Sequence, residues 1–244
     1  AYVDGATREK LTGSRTYYVR TDGSNSNNGL SNASGGAFLT IQKAIDTVAT
    51  LDTNGQNVTI QVIAGTYTGT LSLPYVIGAK IQTLAIVGDT TTPANCLISC
   101  TSVFTAINSN GCGNGWYIRG FKIQTTTTGY CVYVGDQLST INLGENEYGA
   151  VPSGYSHIAS RYGGRVQILT GYTISGNATN HVLTNEGGIL TFGGTFTVTL
   201  TGTPAFSGAF ANAAGVSVIE FGPTTWSGSA TGSRYNSAQN SIIN

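Results

Sequence analysis

The chain has 244 residues, enough for one large domain or two small ones, and its eleven basic and eleven acidic side chains cancel to zero net charge. Only 9% of residues are charged, far below the usual figure of about 25%, and the lack of a basic excess argues against an electrostatically driven nucleic-acid binder. Thirty-four glycines, with abundant Thr, Ser and Asn, favour turns and strands, while a 40% hydrophobic fraction with 13 Tyr and 8 Phe excludes a disordered chain.

No apolar run approaches the eighteen or so residues that would span a bilayer, so no membrane insertion is expected, and no signal-peptide pattern opens the chain. It contains no methionine, and reads as a piece of a longer or processed product. Four cysteines, Cys96, Cys100, Cys112 and Cys131, are too few for a disulfide framework at this length. They read as small buried core residues, because Cys-x3-Cys followed by wide gaps is a poor zinc spacing.

In chain order, Tyr17 to Val19 form a short strand, and "DGSNSNNG" (22–29) is a series of Asx-type turns. Ile41, Ala44, Ile45 and Val48 then recur at helical spacing, which predicts one amphipathic helix from Thr40, its N-cap, to about Leu51, with Asn54-Gly55 at the exit. After Asn57 the period changes to two: Val58, Ile60 and Val62 form a strand, "AGTYTG" turns the chain, Leu71 and Leu73 begin another alternation, and Leu84, Ile86 and Val87 precede a turn. No convincing helix follows.

The second half repeats. Gly135–Tyr162, Gly163–Glu186, Gly187–Ala213 and Ala214–Asn236 each open on a small residue or a pair of them and carry short apolar alternations, with a period of roughly 23 to 28 residues; "NGWYIRGFKIQTTTTGYCVYV" is an earlier, shorter copy. Such a period with about three short strands per unit predicts a solenoid whose coils stack about 4.8 Å apart. Ile168, Ile174, Phe192, Phe196, Val198, Val218 and Phe221 are the expected inward residues, and Gly163, Gly187 and Ala214 should lie in register. A stack of this kind exposes the backbone of its first coil, and the amphipathic helix is expected to close it. The fold class is therefore all-β, a right-handed parallel β-helix with an N-terminal capping α-helix; a β-sandwich with a stray helix is the alternative. The divisions are 1–37 (strand and polar loop), 38–52 (capping helix), 53–236 (coils) and 237–244 (start of a C-terminal extension).

Three motifs carry a resemblance: Asp22-Gly23-Ser24, then Phe38 to Ile45, then Gly65-Thr66-Tyr67. Together they resemble the N-terminal part of pectate-lyase-like β-helix proteins. With "DGATREKLT" ahead of the first strand, "TGTPAFSGAFA" in the third repeat and "SGSATGSRYNSAQNSIIN" at the end, the chain is similar over nearly its full length to phage and prophage tail-fibre or tailspike proteins. The resemblance implies a virion component, commonly a homotrimer, that works beside other tail proteins and faces a receptor or polysaccharide on the host surface.

Chemistry is sparsely encoded. A glycosidase needs two carboxylates about 5 to 9.5 Å apart, and a lyase needs a base and often acids that hold calcium. Glu186, Glu220 and Asp136 do not align between repeats. The best local cluster is "GENEYGAVPSGYSH": Glu145 and Glu147 are the weak catalytic candidates, and Tyr148 and Tyr155 the candidate sugar-contacting residues, because aromatic faces stack on sugar rings. A solvated loop is the plainer reading of the same segment. His157 and His181 occupy equivalent repeat positions and are expected to stack, but Gly208 at the next position supplies no third ligand, so no metal site is expected. Asp22, Asn25 and Asn27 are oxygen donors that could hold calcium, without the spacing of an EF-hand; turns satisfied by their own side chains are expected, and no cofactor. "GCGNG" (111–115) precedes a strand and is no phosphate loop. These features favour a non-catalytic, receptor-contacting rod. A polysaccharide lyase or glycosidase and a surface adhesin of the same fold remain alternatives.

Overall fold

The computed structural model describes residues 8–101, 104–113 and 115–244; the first four residues of "DGATREKLT" and residue 114 of "GCGNG" lie outside them. The elements are β1 (Arg15–Val19), α1 (Ile41–Ala49), β2 (Val58–Val62), β3 (Gly65–Tyr67), β4 (Leu71–Pro74), β5 (Leu84–Val87), β6 (Cys96–Cys100), β7 (Thr105–Asn110), β8 (Trp116–Arg119), β9 (Lys122–Thr125), β10 (Tyr130–Val134), β11 (Thr140–Gly144), β12 (Glu147–Tyr148), β13 (Ser156–Arg161), β14 (Arg165–Ile168), β15 (Tyr172–Ile174), β16 (Ala178–Asn185), β17 (Ile189–Phe192), β18 (Thr197–Leu200), β19 (Ala205–Ala213), β20 (Val218–Glu220), β21 (Thr225–Ser227), β22 (Thr231–Ser237) and β23 (Ile242–Ile243).

All pairings between these strands are parallel, and every third strand is a neighbour. Sheet I has nine strands, β1-β2-β5-β8-β11-β14-β17-β20-β23; sheet II has seven, β3-β6-β9-β12-β15-β18-β21; sheet III has seven, β4-β7-β10-β13-β16-β19-β22. The chain thus winds as a solenoid of about seven coils, each built from one strand of every sheet. The segment "AGTYTG", expected to turn, supplies β3.

Strand alternation sends every second side chain inward, and the register stacks these into columns. Val58, Leu84, Trp116, Ile141, Val166, Leu190 and Ile219 form one column in sheet I, and Ile60, Ile86, Ile118, Leu143, Ile168 and Phe192 the next. In sheet II, Tyr67, Ile98, Ile123, Tyr148, Ile174 and Leu200 stack likewise. Burying each such side chain contributes about 1.5–3 kcal/mol. Of the expected inward residues, Ile168, Ile174, Phe192 and Val198 are buried, and Phe196 and Phe221 are partly buried against the core. Val218 is one residue out of phase, and Ile219 takes the inward place. The four cysteines are buried and unpaired by disulfides, and burial alone pushes the Cys100 thiol up to about 11.

The turns from sheet III back to sheet I repeat as well. Tyr162-Gly163, Glu186-Gly187, Gly215-Val216 and Gln239-Asn240 each place two successive residues at positive φ. Gly163 N donates to Glu186 O, and Gly187 N donates to Gly215 O. Arg165, Ile189 and Val218 pair in register, so the position stacked with Gly163 and Gly187 is Val216, two residues beyond Ala214. Asn54-Gly55 has the same pair of positive φ values ahead of β2, so this dipeptide starts the first coil as well as following the helix.

Helix α1 begins at its N-cap Thr40, whose hydroxyl accepts from Lys43 N, and buries Ile41, Ala44, Ile45 and Val48. These four pack in the same core as Tyr17, Ile60 and Leu73. Strand β4 ends sheet III, and the Gln42 carboxamide meets its free edge: Oε1 accepts from Ser72 N at 2.8 Å and Nε2 donates to Ser72 O at 3.2 Å. The preceding loop is held by its own side chains. Asn25 Oδ1 accepts from Leu39 N and Thr40 N, Asn27 Nδ2 donates to Ser34 O and Ala37 O, and Asp22 pairs with Arg20.

Candidate functional site

Where the chain enters sheet III, alternation lapses. Cys131 and Val132, His157 and Ile158, and His181 and Val182 are successive residues with no exposed surface. This lapse brings His157 and His181 inward, one coil apart, with Nδ1 atoms 3.0 Å from each other. Tyr172 Oη lies 2.6 Å from His181 Nε2. With the hydroxyl donating, His181 carries its proton on Nδ1 and donates to His157, whose own proton then sits on Nε2. Both rings are neutral in this arrangement. Burial pushes His157 down to about 3, and burial together with His157 holds His181 well below the ordinary imidazole range. The expected stack is thus present, but the next ring is Phe210, centred 5.0 Å from His181, because β19 bulges between Phe206 and Ala209 and moves Gly208 out of the column. Among the described residues no group of three His, Cys, Asp or Glu side chains could hold a metal.

Tyr148, expected to meet a sugar, belongs to this interior. It is 1% exposed, in the column of Ile123 and Ile174, with its ring 5.4 Å from that of Tyr172. Burial drives its hydroxyl far above the usual phenol range. It is sealed in the lumen, on the inner side of the wall.

Tyr155 is half-buried at the edge of the core. Its ring meets Tyr130 edge-on at 5.2 Å, Tyr130 lies 5.4 Å from Tyr133, and Phe104 meets both Tyr130 and Tyr133 edge-on at 5.4 and 4.8 Å. Such pairs are preferred aromatic geometries. Phe104 is 55% exposed, whereas Tyr130 beneath it is 8% exposed, so the cluster reaches solvent through Phe104 and the half-buried Tyr133. Tyr133 lies over Gly135, where a Cβ would come within 2.3 Å of its ring; glycine is required by this close approach. On the same face, Arg161 donates to Glu186 Oε2 from Nη2 at 2.8 Å and Nε at 3.1 Å, and lies over the Tyr162 ring at 5.0 Å. Partial burial raises the Tyr130 and Tyr133 hydroxyls above the usual phenol range. Beside Tyr133 is a recess of about 560 Å³ lined by Asn108, Ser109, Asp136, Gln137 and Leu138, among others.

Glu145 and Glu147 are elsewhere, at the turn into sheet II and on it. Glu145 pairs with Arg119 at 3.0 Å, and Glu147 with Lys122 at 2.7 Å and the Ser175 hydroxyl at 2.5 Å. Each carboxylate has its own cation one coil earlier, and neither adjoins the aromatic face. Phe104, Tyr130 and Tyr133 were not singled out from the sequence. The signal lay in "YCVYV", whose tyrosines flank a lapse in alternation that only the folded coil reveals.

Comparison of the chain with protein-family models, with curated proteins and with solved structures finds no match.

Proposed function

We propose that this chain is a rigid, receptor-contacting segment of a phage tail fibre or tailspike, and that the outer face of sheet III touches a polysaccharide on the host surface. The observation that carries this reading is the aromatic cluster of Phe104, Tyr130, Tyr133 and Tyr155, exposed through Phe104 and bordered at Tyr133 by a polar recess. Aromatic faces with adjacent amides and hydroxyls suit sugar rings. The stacked coils supply stiffness, and the resemblance over nearly the full length of the chain supplies the virion setting. In this reading the coil is right-handed, the sense that parallel crossovers adopt, α1 caps its first turn, and three chains associate, joined to other tail proteins.

The reading is tested by binding the purified chain to immobilised host capsule or lipopolysaccharide. Binding without release of oligosaccharide is expected, and Tyr155→Ala should weaken it. Release of product would convert the assignment to a lyase or glycosidase; Glu145→Gln with Glu147→Gln would then show whether that pair performs it. Sedimentation should give a trimer.

A further inference from the structure

The recess beside Tyr133 extends that reading, and rests on it, by specifying the sugar. Its volume of about 560 Å³ is in the ordinary range of small-ligand sites. Its frame is fixed by a hydrogen-bonded network: Asp136 accepts from Ser109 Oγ at 2.8 Å, from Ser139 Oγ at 2.7 Å and from Leu138 N at 3.2 Å, while Ser139 Oγ accepts from Cys112 N and Ser109 Oγ accepts from Gly135 N. The carboxylate is thereby held in place by three donors. The Asn108 and Gln137 carboxamides, in contrast, have no hydrogen-bond partner among the described residues, and each offers a donor and an acceptor to neighbouring hydroxyls. Tyr133 supplies an aromatic wall, and Leu138, 77% exposed, an apolar rim. No basic side chain lines the recess among the described residues, and Arg161 on the same face is held by Glu186.

We propose that this recess takes an uncharged pyranose unit of a surface glycan and rejects uronate- or phosphate-bearing units. A carboxylate or phosphate here would meet Asp136 with no cation to offset it. Vicinal hydroxyls would pair with the two free carboxamides, and the apolar face of the ring would lie on Tyr133.

The test is an array of purified bacterial surface oligosaccharides, sorted into neutral, uronate-containing and phosphate-containing sets, probed with the whole chain. Tyr133→Ala and Gln137→Ala are run alongside, with their circular dichroism and melting compared to the parent. Binding confined to neutral oligosaccharides, weakened about tenfold or more by Tyr133→Ala, is expected. Preference for acidic oligosaccharides would overturn the ligand class and leave the glycan-contact reading standing. Neutral binding that both folded variants retain would overturn the location. Binding to none of the three sets would overturn the glycan-contact reading itself.

Discussion

Tyr148 and Tyr133 have the same side chain and lie one coil apart, yet one is sealed in the lumen and the other walls an open recess. Around Tyr148, the titratable groups His157, His181 and Tyr172 are closed off from water and hydrogen-bond to one another in a chain. Around Tyr133, the rings of Phe104, Tyr130 and Tyr155 meet at their edges, while Asn108 and Gln137 leave their amides free. The difference shows that reactive residue types do not mark a site in a solenoid. The side of the wall does, because the lumen admits no ligand whereas the outer face is solvated.

The largest expected effect separates the two tyrosines directly. Tyr148→Ala should cost about 3–5 kcal/mol in denaturant unfolding, through the cavity it leaves. Tyr133→Ala should stay within about 1 kcal/mol; equal costs would make the outer ring a structural element. Next is acid sensitivity. The folded histidines have lowered pKa values, so the unfolded chain binds more protons as pH falls below about 6.5, and stability is full above that pH and is lost below it. Thermal or urea unfolding should lose about 2 kcal/mol per buried histidine between pH 6.5 and 4.5, and His157→Gln should halve the slope. A flat profile would mean that the pair is solvated. Gly135→Ala pushes on the Tyr133 ring from outside the wall. It should cost about 1 kcal/mol in stability but abolish polysaccharide binding, which sharpens the distinction between holding the fold and holding a ligand. The smallest change is expected at the Arg161–Glu186 pair. With the two side chains 25% and 43% exposed, Arg161→Ala should alter unfolding by under about 1 kcal/mol.

The helix was legible because Ile41, Ala44, Ile45 and Val48 are spaced for one buried face and Thr40 stands at the cap. The later coils were legible because their turns recur 24 or 25 residues apart, as between Thr140, Arg165 and Ile189. The first coils were read only as separate strands, since the intervals from Val58 to Leu84 and from Leu84 to Trp116 stretch to 26 and 32 residues. Loops of different length do not disturb the stacking, but they hide the period. Phase was the weaker inference. Val218 is one residue out of phase and Ala214 two residues short of the stacked position, and in a strand one residue exchanges the inner face for the outer. Tyr148 faces the lumen one position on from the outward Glu147, and Gly208 is displaced from the histidine column by the bulge in β19.

The amino-acid sequence by itself pointed to parallel coils, because short strands of alternating apolar residues, broken by turns that recur about every two dozen residues, bury one side of each strand when the repeats stack. Tertiary structure decided which residues face outward at the corner into sheet III, and so where a ligand can approach. That choice depends on a lapse in alternation shared by successive coils, and it is enforced by the packing of His157, His181 and Phe210 against one another, a contact between residues 24 to 29 positions apart on adjacent coils.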